Sequence, residues 1–113
     1  MGLGIPPTGT MPDVERLADL FKLLADPSRL QLLWWIGQRG EVSVGELSAR
    51  TGLSQANVSK HLQVLRLGGL VACRKEGNNR LYFLADPRCF QMCIESLTHL
   101  SQKAQEGGAS CED

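Results

Sequence analysis

SVGELSARTGLSQANVSKHLQVLRLGGLV, running from Ser43 to Val71, carries the signals that decide the fold. Ser43 stands three residues before Glu46, a capping box that satisfies backbone donors left free at a helix start. Gly52 supplies the left-handed residue that ends such a helix. Ser54 then caps a second helix, in which Val58, Leu62 and Leu65 recur at the i, i+4, i+7 spacing that buries one face. Gln55, Ala56, Ser59, Lys60 and Gln63 are left pointing outward. Two short helices joined by a turn, the second polar outside and apolar inside, make a helix-turn-helix, and its outward set suits a DNA groove. Gln and Ser hydrogen-bond base edges, Ala touches a thymine methyl, and Lys reaches a base or a phosphate.

After Leu70 the pattern changes to alternation. Val71, Cys73 and Lys75 share one face and Ala72 and Arg74 the other, followed by turn residues Gly77-Asn78-Asn79 and a strand from Arg80 to Leu84. This predicts a two-stranded hairpin. A hairpin directly after a reading helix, with Arg74, Lys75 and Arg80 near its tip, is a wing able to lie along the DNA backbone or in the minor groove. The expected fold is mainly α with a β-hairpin wing (α+β). The expected DNA contacts are Ser54, Gln55, Ala56, Asn57, Ser59, Lys60 and His61 on the reading helix, and Arg74, Lys75 and Arg80 on the wing.

Three stretches carry a family resemblance: FKLLADPSRLQLL (Phe21 to Leu33), LSQANVSKHLQVLRLGGLV (Leu53 to Val71) and GNNRLYFL (Gly77 to Leu84). With them the chain resembles the ArsR/SmtB winged-helix repressors of bacteria, from about Val14 to about Gln102. The resemblance implies a homodimer built through the first and last helices. It also implies binding to double-stranded operator DNA with an imperfect inverted repeat, and release when an inducer binds.

The chain has 113 residues, enough for one domain with a modest core, so part of its apolar surface is expected to be buried by dimerisation. No apolar run approaches the roughly 18 residues of a membrane span. The start, MGLGIPPTGTMP, lacks a basic flank followed by an apolar stretch, so no signal peptide or membrane partner is expected and the location is read as cytoplasmic. Net charge is zero, but it is unevenly spread. Between Ser54 and Arg80 five bases (Lys60, Arg66, Arg74, Lys75, Arg80) face one acid, Glu76. From Ala85 onward five acids outnumber Arg88 and Lys103. The positive segment coincides with the reading surface, as phosphate contact requires, and a dimer doubles it.

Residues 1 to 12, rich in Gly and Pro, read as a disordered arm, and residues 13 to 105 as one winged-helix DNA-binding and dimerisation domain. A first helix from about Asp13 to Ala25 carries Val14, Leu17, Leu20, Phe21 and Leu24 on one face. Asp26-Pro27 caps and starts a second, because Pro at the first helical position sacrifices no hydrogen bond. Asp86-Pro87 starts the last helix by the same device. Phe90, Cys93 or Ile94, Leu97 and Leu100 form an apolar stripe there, close to a two-helix seam. Residues 106 to 113 read as a flexible tail.

The four cysteines bear on the inducer. In a cytoplasmic chain they are read as reduced thiols rather than structural disulfides. Cys89 and Cys93 are one helical turn apart and point the same way, a spacing that places two sulfurs on one thiophilic ion. A trigonal As(III) or Sb(III) site needs a third sulfur, and Cys111 is the candidate. From Cys93 to the helix end is about 18 Å, and the six residues from Glu106 to Cys111 span roughly 20 Å extended. Delivery from the same chain or from the partner subunit both remain open. Cys73 is read as a small core residue. Beyond the inducer no cofactor is expected.

Against sites implied by the resemblance, Ser43 and Gly45 stand where one arsenic site would have cysteines, so that site is absent. Asp86, Arg88, His99 and Gln102 stand where a last-helix zinc site would have its ligands, and only Asp86 and His99 fit. Trp34 stands near where persulfide sensors of the family place a second-helix cysteine, which weakens that option. The alternative kept is a thiol-based redox or persulfide-responsive repressor, with Cys89 or Cys93 pairing with Cys111. An enzyme is not expected: no nucleophile–base pair, phosphate loop or paired carboxylates appear.

Overall fold

The computed structural model describes residues 9–105. Five helices and three short strands follow in the order α1 (Val14–Leu24), α2 (Pro27–Arg39), β1 (Val42–Ser43), α3 (Val44–Thr51), α4 (Gln55–Leu67), β2 (Val71–Glu76), β3 (Asn79–Leu84) and α5 (Pro87–Gln105). The α-plus-wing architecture expected from the sequence is the one observed. The expectations for residues 1–8 and for the tail from Glu106, Cys111 included, fall outside the described residues.

Each helix start is set by a short polar side chain. The Asp13 carboxylate accepts from the Arg16 N–H at 3.1 Å, and Asp26 accepts from Ser28 at 2.8 Å and Arg29 at 3.2 Å. Ser43 Oγ accepts from the Glu46 N–H, and Ser54 Oγ from the Asn57 N–H, both at 3.1 Å. Gly52 closes α3 in the left-handed conformation with φ of 79°, its N–H donating to Ser48 O. The turn behind it is locked from both sides: Thr51 Oγ1 accepts from the Leu53 N–H, and Ser48 Oγ donates to Leu53 O at 2.6 Å. These bonds fix the angle at which α4 leaves α3, and hence where the reading helix points.

Two features differ from the sequence reading. The wing turn is the two-residue pair Gly77-Asn78, because Asn79 already pairs with Glu76 in the ladder. Gly77 alone has positive φ (62°), the form of tight turn that wants Gly at its first central position. The sheet is also three-stranded, in the order β1-β3-β2, since Val42 and Ser43 pair antiparallel with Tyr82 and Leu81. Two residues are too few to show an alternating pattern, so β1 leaves no periodic trace in the sequence.

The core consists of Leu32, Leu33 and Ile36 from α2, Leu47 from α3, Val58, Leu62 and Leu65 from α4, and Val42, Val71 and Leu84 from the sheet. Burial of each such side chain stabilises by about 2 kcal/mol. Helices α1 and α5 contribute no buried residue. The Arg29 Nε–H donates to Leu23 O at 2.8 Å and pins the α1–α2 corner. Gly68 lets α1 close on the end of α4, where any Cβ would run into the Leu23 side chain. Along the rest of α1 and α5, Val14, Phe21, Leu97 and Leu100 stand between 54% and 60% exposed.

Candidate nucleic-acid interface

Helix α4 presents its outward arc beside the wing. Gln55, Ser59, Gln63 and Arg66 form one wall of an open cleft, and Asn78, Asn79, Arg80 and Tyr82 form the other, with Ser43 to Gly45 at its end. The cleft holds about 690 Å³ and its lining is mostly polar. At about 100° per residue, Gln55, Ser59 and Arg66 fall within roughly 40° of one another on the helix. All three are exposed, as is Lys60 on the far flank of the same surface beside Ala56.

Strand register divides the wing cations. Val71 pairs with Leu84, Cys73 with Tyr82 and Lys75 with Arg80, so these alternate residues share the face that turns toward the core and the cleft. An Arg80 Nη lies 3.8 Å from Cys73 Sγ, and the rest of its head is exposed. Arg74, paired with Leu81, lies on the opposite face. Its guanidinium donates to both carboxylate oxygens of Glu41 at 2.9 and 2.8 Å, with Glu76 Oε2 a further 3.6 Å from the third nitrogen. The hydrogen bonds from Arg74 hold the Glu41 carboxyl below the usual carboxylate range, and Arg74 is raised in turn. The fork spans from the residue before β1 to β2 and staples the sheet across its middle strand.

The sequence-derived set therefore separates into groups. Gln55, Ser59 and Arg80 meet in the cleft, Ala56 and Lys60 extend the same surface, and Lys75 flanks Arg80 on the wing. Ser54 caps α4 through Asn57. His61 is half-buried and close enough to Asp26 to help lower that carboxyl, which the Arg29 N–H holds down most strongly. That places His61 on the flank facing the start of α2. Arg74 is engaged by Glu41. Gln63, of the outward set read from the sequence, lines the cleft too, and Arg66, Asn78, Asn79 and Tyr82 join it beyond the DNA contacts expected from the sequence. Arg66 is legible in retrospect, being seven residues after Ser59 and so two turns along the same stripe.

The thiols lie elsewhere. Cys89 and Cys93, both exposed and reduced, border an apolar cavity of about 230 Å³ between α1 and α5. Burial chiefly, then the neighbouring Cys93 thiol and the Asp86 carboxylate, push the Cys89 thiol up from its ordinary pKa. The Cys89 N–H caps α5 on Asp86 at 3.0 Å. Cys73 is half-buried in β2, and His99 is exposed. Among the described residues no three His, Cys, Asp or Glu side chains converge to hold a metal ion. No helix among them is long and apolar enough to cross a membrane.

A reading helix fixed by a capped turn and a wing that closes a basic cleft beside it define a winged helix-turn-helix DNA-binding protein. A family model described as a helix-turn-helix domain matches residues 24–74. The chain is 37% identical over 97 residues to the uncharacterized HTH-type transcriptional regulator Rv0081 of Mycobacterium tuberculosis, covering 85% of this chain and 84% of the relative. The crystal structure of Rv0081 matches with a TM-score of 0.73 at 34% identity, over 86% of this chain and 97% of that one. The homodimeric winged helix-turn-helix domain Mb0332 of Mycobacterium bovis, a possible ArsR-family regulator, matches with a TM-score of 0.70 at 28% identity, over 92% and 99%. The antimony-specific transcriptional repressor AntR matches with a TM-score of 0.72 at 29% identity, over 91% and 93%. The chain belongs to the ArsR/SmtB family of DNA-binding transcriptional regulators and is not an enzyme.

Proposed function

We propose that the protein is a cytoplasmic homodimeric repressor that leaves its operator when a thiophilic ion of the As(III) or Sb(III) type binds Cys89, Cys93 and Cys111. One observation carries this reading: the two thiols sit in the α1–α5 layer, which packs only the partly buried Leu24 and Phe90 against the core, has no fully buried residue and presents its other apolar side chains outward. A second copy laid on that layer buries Val14, Phe21, Leu97 and Leu100 and holds two α4 helices on one face of DNA, about 34 Å apart for an inverted repeat. An ion pulling on α5 within that interface then changes the spacing. By linkage, operator DNA weakens ion binding by the same factor.

In this arrangement Gln55, Ala56, Ser59, Lys60 and Gln63 face base edges, while Arg66, Lys75 and Arg80 neutralise phosphates. Arg74, committed to Glu41, positions the wing. Condensation of As(OH)₃ with three thiols forms three S–As bonds and releases three waters with no net proton loss, so protonated thiols are no obstacle. A dication such as Cd(II) must displace the protons.

The test is operator binding by reduced protein, followed by fluorescence anisotropy while As(III) is titrated in, with Cys89→Ser, Cys93→Ser and Cys111→Ser in parallel. Release that requires all three thiols is the expected result. Tight binding that arsenite leaves intact and a persulfide donor abolishes contradicts it.

A further inference from the structure

The basic segment from Ser54 to Arg80 holds a single acid, Glu76, and the fold puts it on the last rung of the wing, opposite Asn79 and next to the Gly77-Asn78 turn. Its carboxylate does not line the cleft; it lies 3.6 Å from the Arg74 guanidinium on the outer face. That guanidinium is already held by both oxygens of Glu41, at 2.9 and 2.8 Å. The outer face therefore carries two carboxylates on one cation and is net negative. The other face is the reverse: Lys75 and Arg80 lie there with Arg66 across the cleft, and among the described residues no acid lines that cleft. Stability does not account for Glu76, whose side chain is 64% exposed, because an ion pair so exposed contributes little.

We propose that Glu76 is a specificity-determining residue: it makes the outer face of the wing repel the DNA backbone, so that duplex is held only from the cleft side, where α4 reads it. The inference rests on the cleft as the DNA surface and is independent of the inducer. Binding to random sequence is almost entirely electrostatic, and a two-stranded wing free of acids would accept a phosphate strand along either side. Glu76 closes the outer side. Docking through the cleft is little affected, because a sheet with side chains on both faces is on the order of 10 Å thick. That exceeds the Debye length of about 8 Å at physiological salt. The repulsion thus falls on complexes in which the outer face meets the backbone and spares the one that reads bases. Specificity is a difference of affinities, so a group that weakens the wrong mode raises it. Glu41 is spent on holding Arg74, which leaves Glu76 as the unbalanced charge.

The experiment uses the reduced full-length protein without inducer and two labelled duplexes of equal length, one of random sequence and one enriched from a random library by the wild-type protein. Anisotropy titrations are run over a range of salt. Glu76→Gln is expected to raise affinity for the random duplex about three- to tenfold and for the enriched duplex less than about twofold, so the preference narrows. Glu76→Lys, which puts a cation on the outer face, is expected to steepen the salt slope for the random duplex by about 1. Asp19→Asn removes the same charge from the exposed polar side of α1 and is expected to leave the preference unchanged. Arg80→Ala, on the cleft face, is expected to weaken binding of both duplexes. Equal gains on the two duplexes with Glu76→Gln, no gain, or a change that Asp19→Asn reproduces overturns the role of Glu76. Binding that Arg80→Ala leaves intact on both duplexes overturns the cleft as the DNA surface, and the inference with it.

Discussion

Two regions of this small protein are built on opposite principles. In the body formed by α2, α3, α4 and the sheet, every element sends side chains into one core, and Leu32, Ile36, Val58, Leu62 and Leu65 are fully enclosed. In the layer formed by α1 and α5 no residue is buried, although both helices are strongly amphipathic by pattern. The body satisfies its own hydrophobic surface and displays polar and basic groups on the cleft. The layer leaves apolar surface unsatisfied and keeps its thiols there. Under the proposed function such a division separates reading from sensing: the body carries the DNA surface, and the layer with its outward apolar side chains is the part that a ligand shifts.

The largest expected effect tests the body. Leu62→Ala should cost about 2–5 kcal/mol of unfolding free energy by denaturant titration, whereas Leu97→Ala, exposed on α5, should cost under about 0.5 kcal/mol in the dissociated protein. Equal losses would erase the contrast. Next is the turn that joins the regions' common scaffold to the reading helix. Gly52 adopts φ of 79°, so Gly52→Ala should destabilise by about 1 kcal/mol, seen in the same titration.

The wing sharpens the comparison inside the body itself. Arg66→Ala and Arg80→Ala should each lower the slope of log affinity against log salt by about 1 for every phosphate no longer neutralised. Arg74→Ala should weaken binding with no matching fall in slope, because its charge is already balanced by Glu41. A full slope change for Arg74 would make it a phosphate ligand.

The smallest effect is in pH. Asp26 and Glu41 are both held below their ordinary pKa, by the Arg29 N–H and the Arg74 guanidinium respectively. Their stabilisation is complete above the ordinary carboxylate range and is lost as pH falls through the lowered values. Asp26→Asn with Glu41→Gln should therefore flatten the acid limb of a melting-temperature profile and leave the neutral region nearly parallel. An unchanged acid limb would remove these two groups from the account.

The sequence reveals the body well because its signals are local. Ser43, Gly52 and Ser54 act within a few residues, and the Val58-Leu62-Leu65 stripe is a property of one helix. What escapes is nonlocal or too short. The Arg74–Glu41 fork joins positions 33 apart, so a strand read alone offers Arg74 as a free cation. His61 resembles its polar neighbours on α4 until the start of α2 is placed beside it. Strand β1 is two residues long and is defined only by its partner on β3. For the site, α4 was legible as a stripe, whereas Tyr82 and Asn79 became cleft residues only once the hairpin was folded against that helix.

The central claim is that the α1–α5 layer is an interface rather than a loosely packed part of one subunit. Sedimentation equilibrium on the double variant Phe21→Glu, Leu97→Glu, alongside far-UV circular dichroism, tests it most directly. Both side chains are more than half exposed, so the account predicts a folded monomer with native helix content and much weakened operator binding. A variant that remains dimeric, or that unfolds as a monomer, would contradict it.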